Sequence, residues 1–437
     1  MLAAGAALCA CKPSHSAQPK EEGAGDRPHF LALLDPQGQQ PLDARLRGLQ
    51  ARARRAPSKV EAWVELGQAW VRKARSSGDS LHYLSADACA QVALGLSPAD
   101  RGALDLRGLM LLNQHRFEEA RQLAQAVVDK APEDAPAWGN LSDALTDLGR
   151  YRDAARAAQR MMDLKPNLAS YARASYLLWL RGDVPGAKES ARLAIDAGGD
   201  EHDSEPLAWV LAQAATLFWH EGDYDGAEAG FQRVLQVKPG FPPALLGRAR
   251  VALARGQPAE AAALLQQAFE ARPLAETAGL LADARRLSGD GPGAEAAERE
   301  LFREGRSADG RTLSLYLSTH GRDVDEALAL AERELSTRDD IYTEDTLAWA
   351  LYRKGRLADA RAASDKAMAL GTKDARLFYH AGAVRLALGE REVGLALVKR
   401  ALALNPAFDP VASEEARALL TAQLAAKKVA RADVASE

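Results

Sequence analysis

The stretch APAWGNLSDALTDLGRYRDAARAAQRMMDLKP, residues 135–166, decides the fold. Apolar residues recur at three- and four-residue spacing on either side of Gly149, so each side reads as an amphipathic helix. Glycine adopts the left-handed backbone that ends a helix. Pro166 cannot continue the second helix and stops it. The segment is therefore a helix, a tight turn and a second helix. Ala154, just after the turn, is small enough to let the two helices approach closely.

Working outward, the same marks repeat. Glycines ahead of a helical restart fall at Gly149, Gly182, Gly222, Gly256, Gly289, Gly321, Gly355 and Gly389. Alanines follow the same beat at Ala86, Ala120, Ala154, Ala187, Ala227, Ala261, Ala294, Ala327 and Ala360. Prolines close units at Pro98, Pro132, Pro166, Pro239, Pro273 and Pro406. In the glycine and alanine series the steps are 32 to 34 residues except one in each, Gly182 to Gly222 and Ala187 to Ala227, which is 40. A period of this length marks a stack of helical hairpins, each burying its apolar face only against its neighbours.

Trp63, Leu66, Gly67 and Trp70 have the spacing W-x2-L-G-x2-W, Trp138 and Leu141 repeat its first half, and Ala227, Phe231 and Pro239 supply a second-helix pattern. In these residues the chain resembles the tetratricopeptide repeat family. The resemblance covers residues 60–406 and implies an all-α, right-handed α-solenoid of about ten hairpins. Their expected starts are near Val60, Arg101, Ala135, Leu168, Ala208, Pro242, Ala275, Ser307, Ile341 and Ala375. The units near Ala275 and Ser307 lack the leading aromatic and the closing proline.

Residues 42–57 read as an N-terminal capping helix and residues 409–428 as a C-terminal one, covering the apolar ends of the stack. Residues 12–41 are rich in Pro, Gly, Gln and charge and read as a flexible tether. About seven extra residues within 76–84 are expected to split the first hairpin. The acidic insertion 197–207 reads as a solvated linker, which could hinge the array into halves 60–199 and 208–406. A cation site on Asp200, Glu201, His202, Asp203 and Glu205 is the weaker reading, because charge runs usually stay wet.

Composition narrows the function. A net charge of −4 gives no basic face for nucleic acid. No P-loop, His-Glu-x-x-His, paired Cys-x-x-Cys or Gly-x-Ser-x-Gly occurs, and the eight histidines are scattered. The reading is a non-enzymatic protein-binding scaffold with no cofactor and no metal. In the resembling family, the first helix of each unit lines a concave groove that takes a protein or peptide partner. Here those positions hold Tyr176, Trp179, Trp209, Trp219, His220, Tyr342, Trp349, Tyr352, Arg353 and Tyr379. Trp, Tyr and Arg dominate binding hot spots. Trp63, Trp138 and Tyr171 fall in the anchor slot and are expected to pack between helices.

Three cysteines cannot build a disulfide framework. Cys89, in an alanine-rich run, reads as a small buried hydrophobe. Leu8-Cys9-Ala10-Cys11 resembles the lipobox of bacterial lipoproteins, in which a small apolar tripeptide precedes the lipidated cysteine. The resemblance implies lipidation of Cys11, residues 1–11 as the remnant of a signal peptide, and a scaffold facing the periplasm on a lipid anchor rather than a spanning helix. No Lys or Arg precedes Cys11, so the charged start of such a signal is expected upstream of Met1. The alternative is a soluble cytoplasmic adaptor or regulatory subunit.

Overall fold

A computed structural model describes residues 27–79, 81–199 and 203–422. Among the described residues the regular structure is helical throughout. The chain forms two compact units, Met1–Arg173 and Ala174–Glu437. Unit 1 holds α1 (Arg27–Ala32), α2 (Pro41–Arg55), α3 (Val60–Ser77), α4 (Leu81–Leu96), α5 (Arg101–Asn113), α6 (Phe117–Lys130), α7 (Ala135–Asp147) and α8 (Tyr151–Leu164). The boundary between units falls inside α9 (Leu168–Leu180). Unit 2 continues with α10 (Val184–Asp196), α11 (Glu205–His220), α12 (Tyr224–Val237), α13 (Pro242–Ala254), α14 (Pro258–Ala271), α15 (Ala275–Leu287) and α16 (Gly291–Ser307). It ends with α17 (Gly310–Thr319), α18 (Val324–Leu335), α19 (Ile341–Arg353), α20 (Leu357–Ala367), α21 (Ala375–Ala387), α22 (Arg391–Leu404) and α23 (412–422).

The repeat marks do the physical work assigned to them. All eight glycines of the series have φ between 64° and 85°, the region where a side chain is penalised. The second hairpin turns at the same place on His115, with φ 57°, so it carries no glycine signal. Each closing proline lies two residues beyond a helix end. All nine recurring alanines are buried. In three hairpins a serine of the first helix donates to the alanine carbonyl of the second: Ser142 to Ala154, Ser175 to Ala187 and Ser314 to Ala327, at 2.7–3.0 Å. Each such buried bond contributes about 1 kcal/mol.

Aspartates start many of the helices. Asp100, Asp134, Asp183, Asp223, Asp290, Asp309, Asp340 and Asp374 each accept a backbone N–H of the first turn. These caps satisfy donors that the helix cannot, for about 1 kcal/mol each.

Eight of the ten expected hairpin starts coincide with helix starts. The fifth begins three residues earlier, at Glu205, where Pro206 suits the first turn. The eighth begins later, at Gly310, because α16 runs on through Ser307 and Asp309 then caps α17. The insertion at 76–84 does not split the first hairpin. It lengthens it: α3 and α4 have 18 and 16 residues, where α5 and α6 have 13 and 14.

Residues 12–41 are not tether throughout. The apolar run Phe30–Leu34 forms the end of α1 and the turn after it. Ala32 is fully buried, its carbonyl accepts from Trp70 Nε1 at 2.9 Å, and Gln50 donates to Leu34 O at 2.6 Å. Residues 1–26, with Cys9, Cys11 and the rest of the tether, lie outside the described residues, as do Asp200, Glu201, His202 and the end of the C-terminal cap from 423. Both sides of the acidic insertion belong to unit 2, so the division of the chain lies about thirty residues before the expected hinge.

Candidate functional site: the inner face of unit 2

The inner face is built from the first helices of successive hairpins. In an extended solenoid each hairpin touches only its neighbours. Unit 2 departs from this, because its first hairpins touch its last. The turn after α9 sits on the loop between α20 and α21, and the turn after α11 sits on the loop that follows α22. Both contacts use the same chemistry. Thr372 Oγ1 donates to Leu180 O at the end of α9. Asn405 Nδ2 donates to Trp219 O near the end of α11 at 2.7 Å, and Asn405 Oδ1 accepts from Tyr224 at 2.8 Å. The last carbonyls of a helix have no partner within it; here a distant loop reaches Leu180 O and adds a second donor to Trp219 O, which also accepts from Gly222 N at 3.0 Å.

The backbones meet closely at both points. A Cβ on Gly182 would stand 2.3 Å from Gly371 O, and one on Gly222 would stand 2.9 Å from Leu404 O. These two turn glycines therefore serve a left-handed φ and a close approach together.

This closure places the ten expected groove residues. Trp179, Trp219, Trp349 and Tyr379 are buried. Tyr176, Trp209, His220, Tyr342, Tyr352 and Arg353 are half-buried. Trp179 Nε1 donates to Tyr342 Oη at 3.1 Å, so the fourth and ninth hairpins are joined directly. Trp179 also stacks on His220 at 4.3 Å. Trp349 is enclosed by Tyr352, His380 and Tyr379. In the anchor slot, Trp63 is buried and donates to Pro57 O at 2.8 Å, while Trp138 is half-buried and donates equivalently to Pro132 O at 3.0 Å. Tyr171 is half-buried.

Charged side chains complete the face. Asp345 accepts from His380 Nδ1 at 3.0 Å and lies 3.5 Å from Arg376 Nε. Asp374 caps α21 and lies 3.9 Å from His220 Nδ1. His220 keeps 22% of its side-chain surface, yet burial pushes its pKa down to about 4, with Asp374 opposing; the ring is neutral at ordinary pH. Arg353 lies over Trp349, donates to Thr319 O at 3.1 Å and pairs with Glu415 of α23 at 2.7 Å. Tyr379 also donates to Glu415, at 2.8 Å. The chain's own C-terminal helix thus supplies a carboxylate to two of the expected groove residues.

Sequence reasoning missed Thr372, Asp374, Arg376, Asn405 and Glu415. Arg376 and Asp374 carry a signal in the helix register, since both flank the start of a first helix. Thr372 and Asn405 sit in loops and carry none. Among the described residues, no group of three or more His, Cys, Asp or Glu is arranged to hold a metal ion, and no helix is long and apolar enough to cross a membrane. Cys89 is a free, buried thiol.

Comparison with known proteins agrees with the repeat reading. Residues 106–169 and 218–284 match models of the tetratricopeptide repeat. Those two segments carry tetratricopeptide repeats, and the fold is an α-solenoid. No curated protein matches the sequence. Among solved structures, the human IFIT1 dimer with PPP-AAAA is 13% identical, with 87% of this chain and 94% of that one covered and a TM-score of 0.46. PilW, described as a widely conserved type IV pilus biogenesis factor, is 16% identical over 45% of this chain and 90% of its own, with a TM-score of 0.39. A tetratricopeptide repeat protein from Parabacteroides merdae ATCC 43184 is 15% identical over 67% of this chain and 98% of its own, with a TM-score of 0.38.

Proposed function

We propose that this chain is a non-enzymatic scaffold that holds a protein partner on its inner face. We further propose that it is lipid-anchored through Cys11 to a bacterial envelope membrane, facing the periplasm, where it assists assembly of a surface, motility or secretion complex. The carrying observation is the repeat itself: nearly all of the described chain is spent on stacked hairpins whose first helices align aromatic and charged side chains. Such surfaces bind by shape and hot-spot residues. The six half-buried residues, Tyr176, Trp209, His220, Tyr342, Tyr352 and Arg353, are those a partner would meet. Trp179, Trp219, Trp349 and Tyr379 support them from behind.

The anchor reading rests on Leu8-Cys9-Ala10-Cys11. Its test is growth with an alkyne-bearing fatty acid, followed by membrane fractionation. The gene product is expected in the membrane fraction carrying the label, and Cys11→Ser is expected to lose both. A product that stays soluble and unlabelled, unchanged by Cys11→Ser, would establish the cytoplasmic adaptor instead. The partner itself is sought by affinity capture from native membranes, with Tyr342→Ala/Arg353→Ala as the site control. If that variant retains everything the parent captures, the inner-face site is wrong.

A further inference from the structure

The closure of unit 2 is out of keeping with the nearest-neighbour logic of a repeat stack. The hairpins of unit 2 are already held internally, by the buried alanines and in two of them by a serine–carbonyl bond, and successive hairpins pack on one another. The contacts through Thr372 and Asn405 join segments 192 and 186 residues apart in sequence. They add nothing to any single hairpin. They recur in register, each pairing the turn after a first helix with the loop five hairpins further on. At each, a polar side chain from the loop donates to a carbonyl at a helix end, and a turn glycine lets the backbones meet. Behind them Trp179 stacks on His220 of the next hairpin, and its bond to Tyr342 spans the closure.

We propose that Thr372 and Asn405 form a two-point clasp that holds unit 2 as a closed turn, and that a partner gains the full inner face only once the clasp has opened. The proposal deepens the scaffold reading and rests on it for the role of the inner face. Opening breaks the Thr372–Leu180, Asn405–Trp219, Asn405–Tyr224 and Trp179–Tyr342 hydrogen bonds. It leaves every hairpin intact, because none of these bonds lies within one. It uncovers two aromatic faces and a neutral imidazole, the kinds of group on which interfaces centre.

The test uses the full chain without any partner, so its result is separate from that of the capture experiment. Hydrogen exchange is followed by mass spectrometry on the parent, on Thr372→Val/Asn405→Ala and on Thr372→Ser, and modification of His220 by diethyl pyrocarbonate is measured on the same samples. The double variant is expected to exchange at least tenfold faster at 181–183 and 221–223, and His220 to be modified faster. Exchange in α15 and α16 should not change. Thr372→Ser keeps the donor and should match the parent. Circular dichroism confirms that each variant is folded. Two results overturn the clasp: unchanged exchange at both turns in the folded double variant, or acceleration spread evenly over unit 2, which would make both residues ordinary packing groups.

Discussion

Replacing Trp349 with alanine separates two readings of the inner face. Read from sequence alone, Trp349 is an anchor presented to a partner, and its loss should weaken capture while leaving the fold untouched. In the structure it is fully buried. Its ring packs on Tyr352 at 4.8 Å and His380 at 4.1 Å, and Nε1 donates to Thr319 Oγ1 at 3.3 Å. Removing a buried aromatic side chain costs roughly 3–5 kcal/mol, through lost transfer energy and the cavity left behind. The Arg353 guanidinium, 4.6 Å from the ring, also loses its apolar face. A loss of about 4 kcal/mol is therefore expected, about a thousandfold in the local opening equilibrium. In a repeat stack this falls first on the hairpins around the cavity. Hydrogen exchange should accelerate in α19 to α22, while α3 to α8 of unit 1 serve as the unaffected control. Urea unfolding should show the first transition moved to lower denaturant. A Trp349→Ala variant with the parent's unfolding profile that nonetheless fails to capture a partner would refute this reasoning and restore the surface anchor.

Further outcomes follow from the same geometry. Gly256 and Gly182 share a left-handed φ, but nothing lies near a Cβ at Gly256 while Gly371 O blocks one at Gly182. Gly256→Ala should cost about 1 kcal/mol in unfolding free energy, and Gly182→Ala clearly more; equal costs would remove the close approach. Asp105 has its pKa raised to about 7, mainly by burial and then by Asp134 and Asp100. An acid whose folded pKa lies above its unfolded 3.8 gives stability that is full below that value and lost as pH rises towards 7. Asp105→Asn should therefore be more stable than the parent at pH 8, by on the order of 2 kcal/mol after allowing for solvent screening. The difference should vanish near pH 4, as read by urea midpoints at both pH values. Ser142→Ala removes the bond to the Ala154 carbonyl inside unit 1, which keeps its own helical partner, and should cost about 1 kcal/mol in the same assay.

Much of the hairpin architecture was legible from residues 135–166 outward. The glycine, alanine and proline series mark backbone conformation and close packing, which are local requirements, and local requirements leave a periodic trace. The hairpin turn at His115 escaped because a left-handed histidine looks like any other residue in sequence. The first-turn aspartates were equally local but were passed over. The candidate site was legible only in part. The ten first-helix side chains named from register are all half-buried or buried. Register does not tell what each of them meets across the turn of unit 2.

By itself, then, the sequence determined the repeat, its period and the hairpin starts to within a few residues. Those properties depend on contacts between residues close in the chain, where a few side-chain types at fixed spacing suffice. Only the tertiary structure decided that unit 2 closes on itself. It also decided that Thr372 and Asn405 cap helices nearly 190 residues away, and that Glu415 reaches Arg353 and Tyr379. How tightly a stack curls is set by small rotations accumulated over successive hairpins. No single residue encodes that sum, so the contacts it creates leave no periodic mark.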